Sequence, residues 1–434
     1  GGSFAVNDGS GKYPGYMFNC VDANYVAGTA GITVNGGTFV GYDPRNNTAE
    51  GTGTSFVAEG VGIDKNADGT FTAKSGMAAQ IVDADGNSVA AYATLADAIA
   101  AANAGETVKL LADVTLDAAV KVPAGKNVTL DLNGKKLSTT TKTGDATRHY
   151  YAIDNYGTFT LRDSSAEQSG EIRARGIENL GTGTMTIESG KIVAIDANGG
   201  AAIWNNANLT INGGTFVAEY EGTSNDPYGP GCVYNNGTLT INGGTFMSAN
   251  KRTYAIVSKA GTVTITPADG KNVTISGAHG GLGIDGGTAI INGGSYASSD
   301  YYGLYVSNDA GTADVTVNGG TFTGKKYSVL IGSDGSSSVT STLKIKGGTF
   351  DMPIHAQENT IDGAIAISGG KFKFKVDDKY FDGDHACSTD TTDGYYTVAG
   401  HPIISAGLTI SADMSFRVKV RSGYENGSLR YYYD

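Results

Sequence analysis

Leu209-Thr210-Ile211-Asn212-Gly213-Gly214-Thr215-Phe216 recurs as Leu239-Thr240-Ile241-Asn242-Gly243-Gly244-Thr245-Phe246, and the reading of this phrase decides the fold. Relatives stand at Ile291–Tyr296, Val317–Phe322, Ile345–Phe350 and Ile367–Phe372. An early copy lies at Val34–Phe39, and weaker ones surround Gly170 and Gly190. The mean period is about 25 residues, a solenoid interval and shorter than the ~40 residues of a propeller blade. Leu209 and Ile211 point one way and Thr210 the other, as the two-residue strand period requires, so one face is wet. Gly-Gly permits a sharp positive-φ corner, and the Phe beyond it swings back inside. Upstream of these phrases lies another short segment, such as Ala202-Ile203-Trp204-Asn205 or Cys232-Val233-Tyr234-Asn235. Three short strands and three corners make one coil, and coils stacked at ~4.8 Å set each strand beside its copy. The chain therefore reads as all-β, a parallel β-helix.

Composition agrees. Glycine supplies 65 of 434 residues, yet there are only 8 prolines and no Gly-X-Y period, which excludes collagen. Apolar residues make up 40%, enough to bury a core and to argue against general disorder. With 31 basic and 43 acidic residues the net charge is −12, which opposes binding to nucleic acid or to an anionic membrane surface. No apolar run reaches the ~18 residues of a membrane span. Gly1 opens the sequence without a basic region and an apolar run after it, so signal and anchor are expected outside this segment. Six Asn-X-Ser/Thr sequons, at Asn46, Asn127, Asn208, Asn236, Asn272 and Asn426, would be heavily glycosylated in a eukaryotic secretory route. A bacterial, extracellular or cell-surface origin is the plainer expectation.

Thr94-Leu95-Ala96-Asp97 opens an amphipathic stretch with apolar Leu95, Ala98, Ile99 and Ala102, and Gly105 ends it. A Thr N-cap with an acid three residues on predicts a capping helix over 94–104, laid over the open end of the solenoid. Phe56 through Ala73 resembles Tyr380 through Val398, and each follows a Gly-Gly-X-Phe phrase. Three segments are expected: 1–76 as the C-terminal end of a preceding β-helix unit, 77–400 as the main solenoid, and 401–434 as opening strands of a further β module. That last segment rests on the alternating Leu408, Ile410, Met414, Phe416, Val418 and Val420.

The helix followed by Thr107-Val-Lys-Leu-Leu-Ala-Asp-Val114, then Asn127-Val-Thr-Leu-Asp-Leu-Asn-Gly134 and the Ile-Asn-Gly-Gly-Thr-Phe repeats, resembles the pectate-lyase-like right-handed β-helix repeat regions of bacterial surface, adhesin-like proteins. The resemblance covers roughly residues 80 to 400. It implies a right-handed coil, as parallel crossovers prefer, and is nearly silent on chemistry, since such folds serve lyases, hydrolases, adhesins and stalks.

Candidate sites follow from rung alignment. If Ala152-Ile-Asp154-Asn, Gly176-Ile-Glu178-Asn, Ala202-Ile-Trp204-Asn, Cys232-Val-Tyr234-Asn and Gly303-Leu-Tyr305-Val are equivalent, their third positions form one outward file. A preceding outward position adds Tyr151, Arg175, Tyr254, Tyr302 and Tyr327. Sugar rings stack on aromatic faces while their hydroxyls bind carboxylates, so Trp204, Tyr234, Tyr254, Tyr302 and Tyr305 are the candidate ligand-binding residues. Packing on a flat sheet explains aromatics equally. Asp154, Glu178, Arg173 and Arg175 are weaker catalytic candidates, because paired acids and an Arg also describe a surface salt-bridge ladder.

Gly280-Gly-Leu-Gly283-Ile-Asp285 matches the start of a calcium nonapeptide once, and adjacent copies are needed to close a cage, so a tight corner is expected there. His149, His279, His355, His385 and His401 share no metal or triad spacing, and Cys20, Cys232 and Cys387 indicate no disulfide framework or zinc site. Cys232 falls at an inward position held by Ala202 in the neighbouring coil, and Asn212, Asn242, Asn292 and Asn318 at a corner suit left-handed backbone and rung-to-rung hydrogen bonds. No metal and no cofactor are implied. The expected function is a non-catalytic stalk and adhesive or glycan-contacting surface, with flanking domains, glycans or host-surface ligands as partners. A polysaccharide lyase or hydrolase acting on the 154–178 face, a purely structural spacer and, more weakly, a trimeric tailspike are the alternatives.

Overall fold

The computed structural model describes residues 2–5, 17–47, 54–196, 199–220, 231–333, 335, 338–383, 385–387, 394–400, 403–408 and 416–420. Asn426, His401, Ile410 and Met414 lie outside them. The protein is nearly all-β, a parallel β-solenoid with about 26 residues per turn. It divides into two compact units, residues 1–257 with 267–277, and residues 258–266 with 278–434.

In the first unit, each turn contributes a strand to three sheets. The first sheet stacks Asn127–Asp131, Thr158–Arg162, Thr184–Ile187, Asn208–Ile211 and Thr238–Ile241 in parallel register. The second stacks Lys136–Thr139, Glu171–Ala174, Lys191–Ala194, Thr215–Ala218, Gly244–Ser248 and Val273–Gly277. The third stacks Val120–Val122, Ile153–Asn155, Ile177–Asn179, Ala201–Asn205 and Gly231–Asn235. Register is strict because one face is buried: Phe159, Met185, Leu209 and Leu239 all point inward, and a one-residue slip would turn them to water.

The two corner glycines act differently. A Cβ on Gly243 would sit 2.7 Å from the carbonyl of Asn212 one turn below, so the backbone of the next turn excludes a side chain there. Gly244 instead has φ +118°, backbone that favours glycine. The asparagines before them do not adopt left-handed backbone, contrary to the expectation from sequence; the second glycine of each pair does. Asn242 does donate to Asn212 at 2.9 Å, and in the second unit Asn318 donates to Asn292 at 2.7 Å.

A second asparagine ladder runs inside. Asn155, Asn179, Asn205 and Asn235 close the third-sheet strands and are fully buried. Each side-chain amide donates to the next carbonyl, at 2.8, 2.8 and 2.7 Å. The same amides donate to the carbonyls of Thr184, Asn208 and Thr238, which starts the next strand of the coil. Phe216 and Phe246 stack beside this core at 4.7 Å with planes 8° apart.

The capping helix spans Leu95–Ala101, shorter than 94–104, with Leu95, Ala98 and Ile99 buried. Thr94 is the predicted N-cap, the Asp97 amide donating to its hydroxyl at 3.1 Å and that hydroxyl donating to the Asp97 carboxylate at 2.6 Å. Lys126 closes the other end by donating to the Ala100 carbonyl at 2.8 Å. The parallel edge itself is ended by Ala79–Val82, which pairs antiparallel with both Thr107–Leu110 and Ser88–Tyr92. Buried Gln80 then ties this hairpin to Ile63, accepting from its amide at 2.7 Å and donating to its carbonyl at 2.8 Å.

The duplicated stretches fold alike. Gly37–Val40 pairs antiparallel with Thr70–Lys74, Phe39 opposite Phe71, and Gly370–Phe372 pairs antiparallel with Tyr396–Gly400, Phe372 opposite Tyr396. Ser3–Ala5 lies parallel to Gly37–Val40, and Ile403–Leu408 and Phe416–Val420 form an antiparallel hairpin.

In the second unit the first-sheet strands Thr262–Ile265, Gly287–Ile291, Ala313–Val317, Thr342–Ile345 and Ile365–Ile367 stack in parallel. Tyr296, Phe322, Phe350 and Phe372 stack face to face at 4.6–5.0 Å. Gly280–Ile284 is a third-sheet strand rather than a corner, and buried Asp285 beyond it takes Lys259 at 2.5 Å and Ser307 at 2.9 Å.

The inner ladder should be worth more than the outer one, because a broken link leaves a buried amide unmet. Asn205→Ala should lower stability by about 2–4 kcal/mol and exposed Asn318→Ala by about 1 kcal/mol or less. Urea midpoints at unchanged slope will read both.

Candidate functional site

The register places Asp154 beside Glu178, Glu178 beside Trp204, and Trp204 beside Tyr234, in one file along the third sheet of the first unit. Alternation explains this: Ile153, Ile177, Ile203 and Val233 fill the core one position earlier, so the next side chain points out. Lys121 precedes the file, opposite Asp154.

Two like acids on neighbouring strands repel, and each of Asp154 and Glu178 acts on the other's proton. Burial, and then the Asp154 charge, push Glu178 from 4.5 up to about 7, against the pull of Arg175 and Lys142. Burial also raises Asp154, with Lys121 and Lys142 opposing. Asp154 Oδ1 is buried and makes no hydrogen bond among the described residues.

Arg175 stands at the start of the Glu178 rung and is mostly buried, 3.2 Å from fully buried Asp196. Its guanidinium lies 5.1 Å from the centre of the Tyr151 ring, and burial drives that phenol up to about 12. Lys142 reaches over Tyr150 at 5.7 Å, and the His149 amide donates to Asp196 at 3.2 Å. Arg173, two residues before Arg175, belongs instead to the second sheet, where it pairs with Glu219 and Glu171. Arg148 and Arg162 pair with Asp145 and Asp131. Of the weaker catalytic candidates, then, Asp154, Glu178 and Arg175 come together and Arg173 does not.

The rings of Trp204 and Tyr234 lie 4.0 Å apart with planes 13° from parallel, which is possible only face to face. Their faces are therefore turned along the rung axis. One indole face meets Tyr234 and the other looks toward the Glu178 rung. Tyr254, on the next turn of this unit, is buried at 8% exposure.

The aromatic group of the second unit stands by itself. Tyr302 stacks with Tyr305 at 5.9 Å and with Tyr327 at 6.1 Å, and Tyr327 with His355 at 4.6 Å. Tyr305 is 7% exposed, so it forms the base of this group. Cys232 is fully buried and inward, and burial drives its thiol up to about 12.

Lys121, Lys142 and Asp196 carried no signal in the sequence. Lys142 and Asp196 lie in excursions outside the repeat, and Lys121 sits in the short strand Val120–Val122, which does not match the repeated segments. No group of three or more His, Cys, Asp or Glu side chains suited to a metal occurs among the described residues. No family model, curated protein or solved structure matches the chain.

The raised Glu178 implies a sign for stability. The folded chain holds this proton more tightly than the unfolded chain, so Glu178 subtracts stability as pH rises from 4.5 to about 7, and the deficit is complete above that. Glu178→Gln removes the deficit. From about pH 5 to pH 8 the wild-type melting temperature should fall relative to that of Glu178→Gln, by on the order of 2 °C.

Proposed function

We propose that this chain is an extracellular segment of a bacterial surface protein, a stalk whose third sheet offers a glycan-contacting face and does no catalysis. The observation that carries this reading is the Trp204–Tyr234 stack standing in register with the Asp154–Glu178 acids. A ring large enough for a pyranose to cover, bordered by groups that donate and accept hydrogen bonds, is the usual chemistry of sugar recognition. A plain spacer has no need to gather buried acids and Arg175 at one place, and their desolvation costs stability.

Glycoside hydrolysis by this pair fits poorly. Retaining and inverting mechanisms hold their carboxyl groups about 5 Å or more apart, with sugar or water between. Asp154 and Glu178 stand instead on adjacent parallel strands, one rung spacing of ~4.8 Å apart along the axis, with no room for a sugar or water between the rungs.

Glycan-array binding by the intact chain beside Trp204→Ala/Tyr234→Ala tests the reading, with far-UV circular dichroism and melting temperature held equal. Loss of the two rings should weaken binding by about ten-fold or more. Undiminished binding by the variant would move recognition elsewhere, and no binding by either protein would favour the spacer.

A further inference from the structure

The three sheets of the second unit do not end together. After Thr342–Ile345 the first sheet goes on through Ile365–Ile367 to a parallel bridge at Phe381. After Thr349–Phe350 the second goes on through Gly370–Phe372 to Tyr396–Gly400. The third sheet stops at Ile354–Ala356, which pairs with Tyr327–Ile331 and is its last strand. The chain that could supply the next strand, residues 373–380, forms no strand and ends in a single 3-10 turn at Asp378–Tyr380. A cavity of about 220 Å³ is lined by Ile354–Ala356 together with Phe374, Lys375, Val376, Asp377 and Lys379. We propose that this cavity is a strand-addition site, which takes an extended segment of a partner polypeptide, apolar at its inward positions and acidic at its ends, as the missing parallel rung. The site belongs to the second unit and does not depend on the glycan reading.

The backbone states what the site asks for. Along a parallel strand one residue turns its N–H and C=O together to one neighbour, and the next residue turns both to the other. The Pro353 carbonyl accepts from the Ser328 amide at 3.1 Å, and the Gln357 amide donates to the Ile331 carbonyl at 2.9 Å. Residues 353, 355 and 357 therefore face the sheet, and Ile354 and Ala356 turn two N–H and two C=O groups away from it. None of the four has a backbone partner among the described residues. Such a row is a template for another strand. Its groups recur every second residue, ~7 Å, which is the interval at which a polypeptide presents its own donors and acceptors.

Side chains agree with the backbone. Val329 and Ile331, one turn earlier, are 0% exposed, whereas Ile354 and Ala356 at the same stations are only half-buried, as no turn covers them. On the outer face Tyr302, Tyr327 and His355 stack at 6.1 and 4.6 Å, and the His355 ring borders the cavity. A strand in register sets apolar side chains beside Ile354 and Ala356 and a ring against His355, as the turns of the solenoid do for one another. Charge selects its ends. Lys375 and Lys379 stand against one acid, Asp377, which Lys379 holds at 3.3 Å. In a chain of net charge −12 this local excess of base favours acidic flanks.

The peptide acetyl-Asp-Val-Tyr-Val-Asp-amide is the probe, added to the intact chain. At saturation it should slow hydrogen exchange over residues 353–357 by about ten-fold or more. Acetyl-Lys-Val-Tyr-Val-Lys-amide should bind about ten-fold more weakly. Ala356→Pro removes one outward donor at an edge position that tolerates proline, so the acidic peptide should lose about ten-fold or more in affinity at an unchanged melting temperature. If that variant does not fold, Lys375→Glu, an exposed substitution, should weaken the acidic peptide and strengthen the basic one. Exchange that the peptide leaves unchanged, equal binding of the two peptides, or full binding by Ala356→Pro would overturn the proposal. Two further results would also overturn it. Protection of these amides before any peptide is added would give the cavity to a segment of this chain, and protection that grows with protein concentration would give it to a second copy.

Discussion

Everything in this molecule depends on successive turns lying in strict parallel register. Hydrogen bonds between strands do not by themselves choose that register, since a slipped strand forms as many. The choice comes from inside, where Ile, Leu and Phe occupy the same station turn after turn and where Asn155, Asn179, Asn205 and Asn235 link amide to carbonyl. A slip by one residue would expose the apolar stations and break every link of the ladder at once. The corner glycines serve the same end: the first lets the backbone of the next turn come close, and the second lets the chain reverse.

Parallel register has a chemical consequence outside the core. It brings like to like, because the same position of each turn falls in one file. For aromatic residues this is favourable, and Trp204 and Tyr234 pair face to face much as Phe216 and Phe246 do inside. For acids it is unfavourable, and Asp154 beside Glu178 is met by a tighter hold on protons and by the charges of Lys121, Lys142 and Arg175. The candidate site is the place where both consequences meet, between one turn and the next.

The fold was legible because the repeat states it. The Ile-Asn-Gly-Gly-Thr-Phe phrase carries strand period, corner and core residue together, and the helix at Leu95–Ala101 announces itself through Thr94 and Asp97. The file from Asp154 to Tyr234 was legible for the same reason, since equal phrases imply equal stations. Ring orientation was not, because alignment says which side chains are neighbours and nothing of their torsions. Arg173 and Arg175 look equivalent in a sequence, yet Arg173 lies within the second-sheet strand Glu171–Ala174 and Arg175 in the corner beyond it, just before Gly176 with φ +135°. The asparagine that closes four of these third-sheet strands stands two positions after an inward Ile or Val, so alternation turns it inward, but the link from one turn's amide to the next turn's carbonyl is not part of that pattern.

The claim on which the rest stands is that these turns are in register, and a distance measures it directly. Thr129, Thr160, Thr186, Thr210 and Thr240 occupy one station on five successive turns of the first sheet. Spin labels at Thr129→Cys and Thr240→Cys, with Cys20 and Cys387 replaced by serine and Cys232 buried, should give a narrow distance distribution centred near the ~19 Å of four rung spacings, widened only by the label arms. A broad distribution, or one centred beyond about 30 Å, would contradict the register and with it the file of acids and rings.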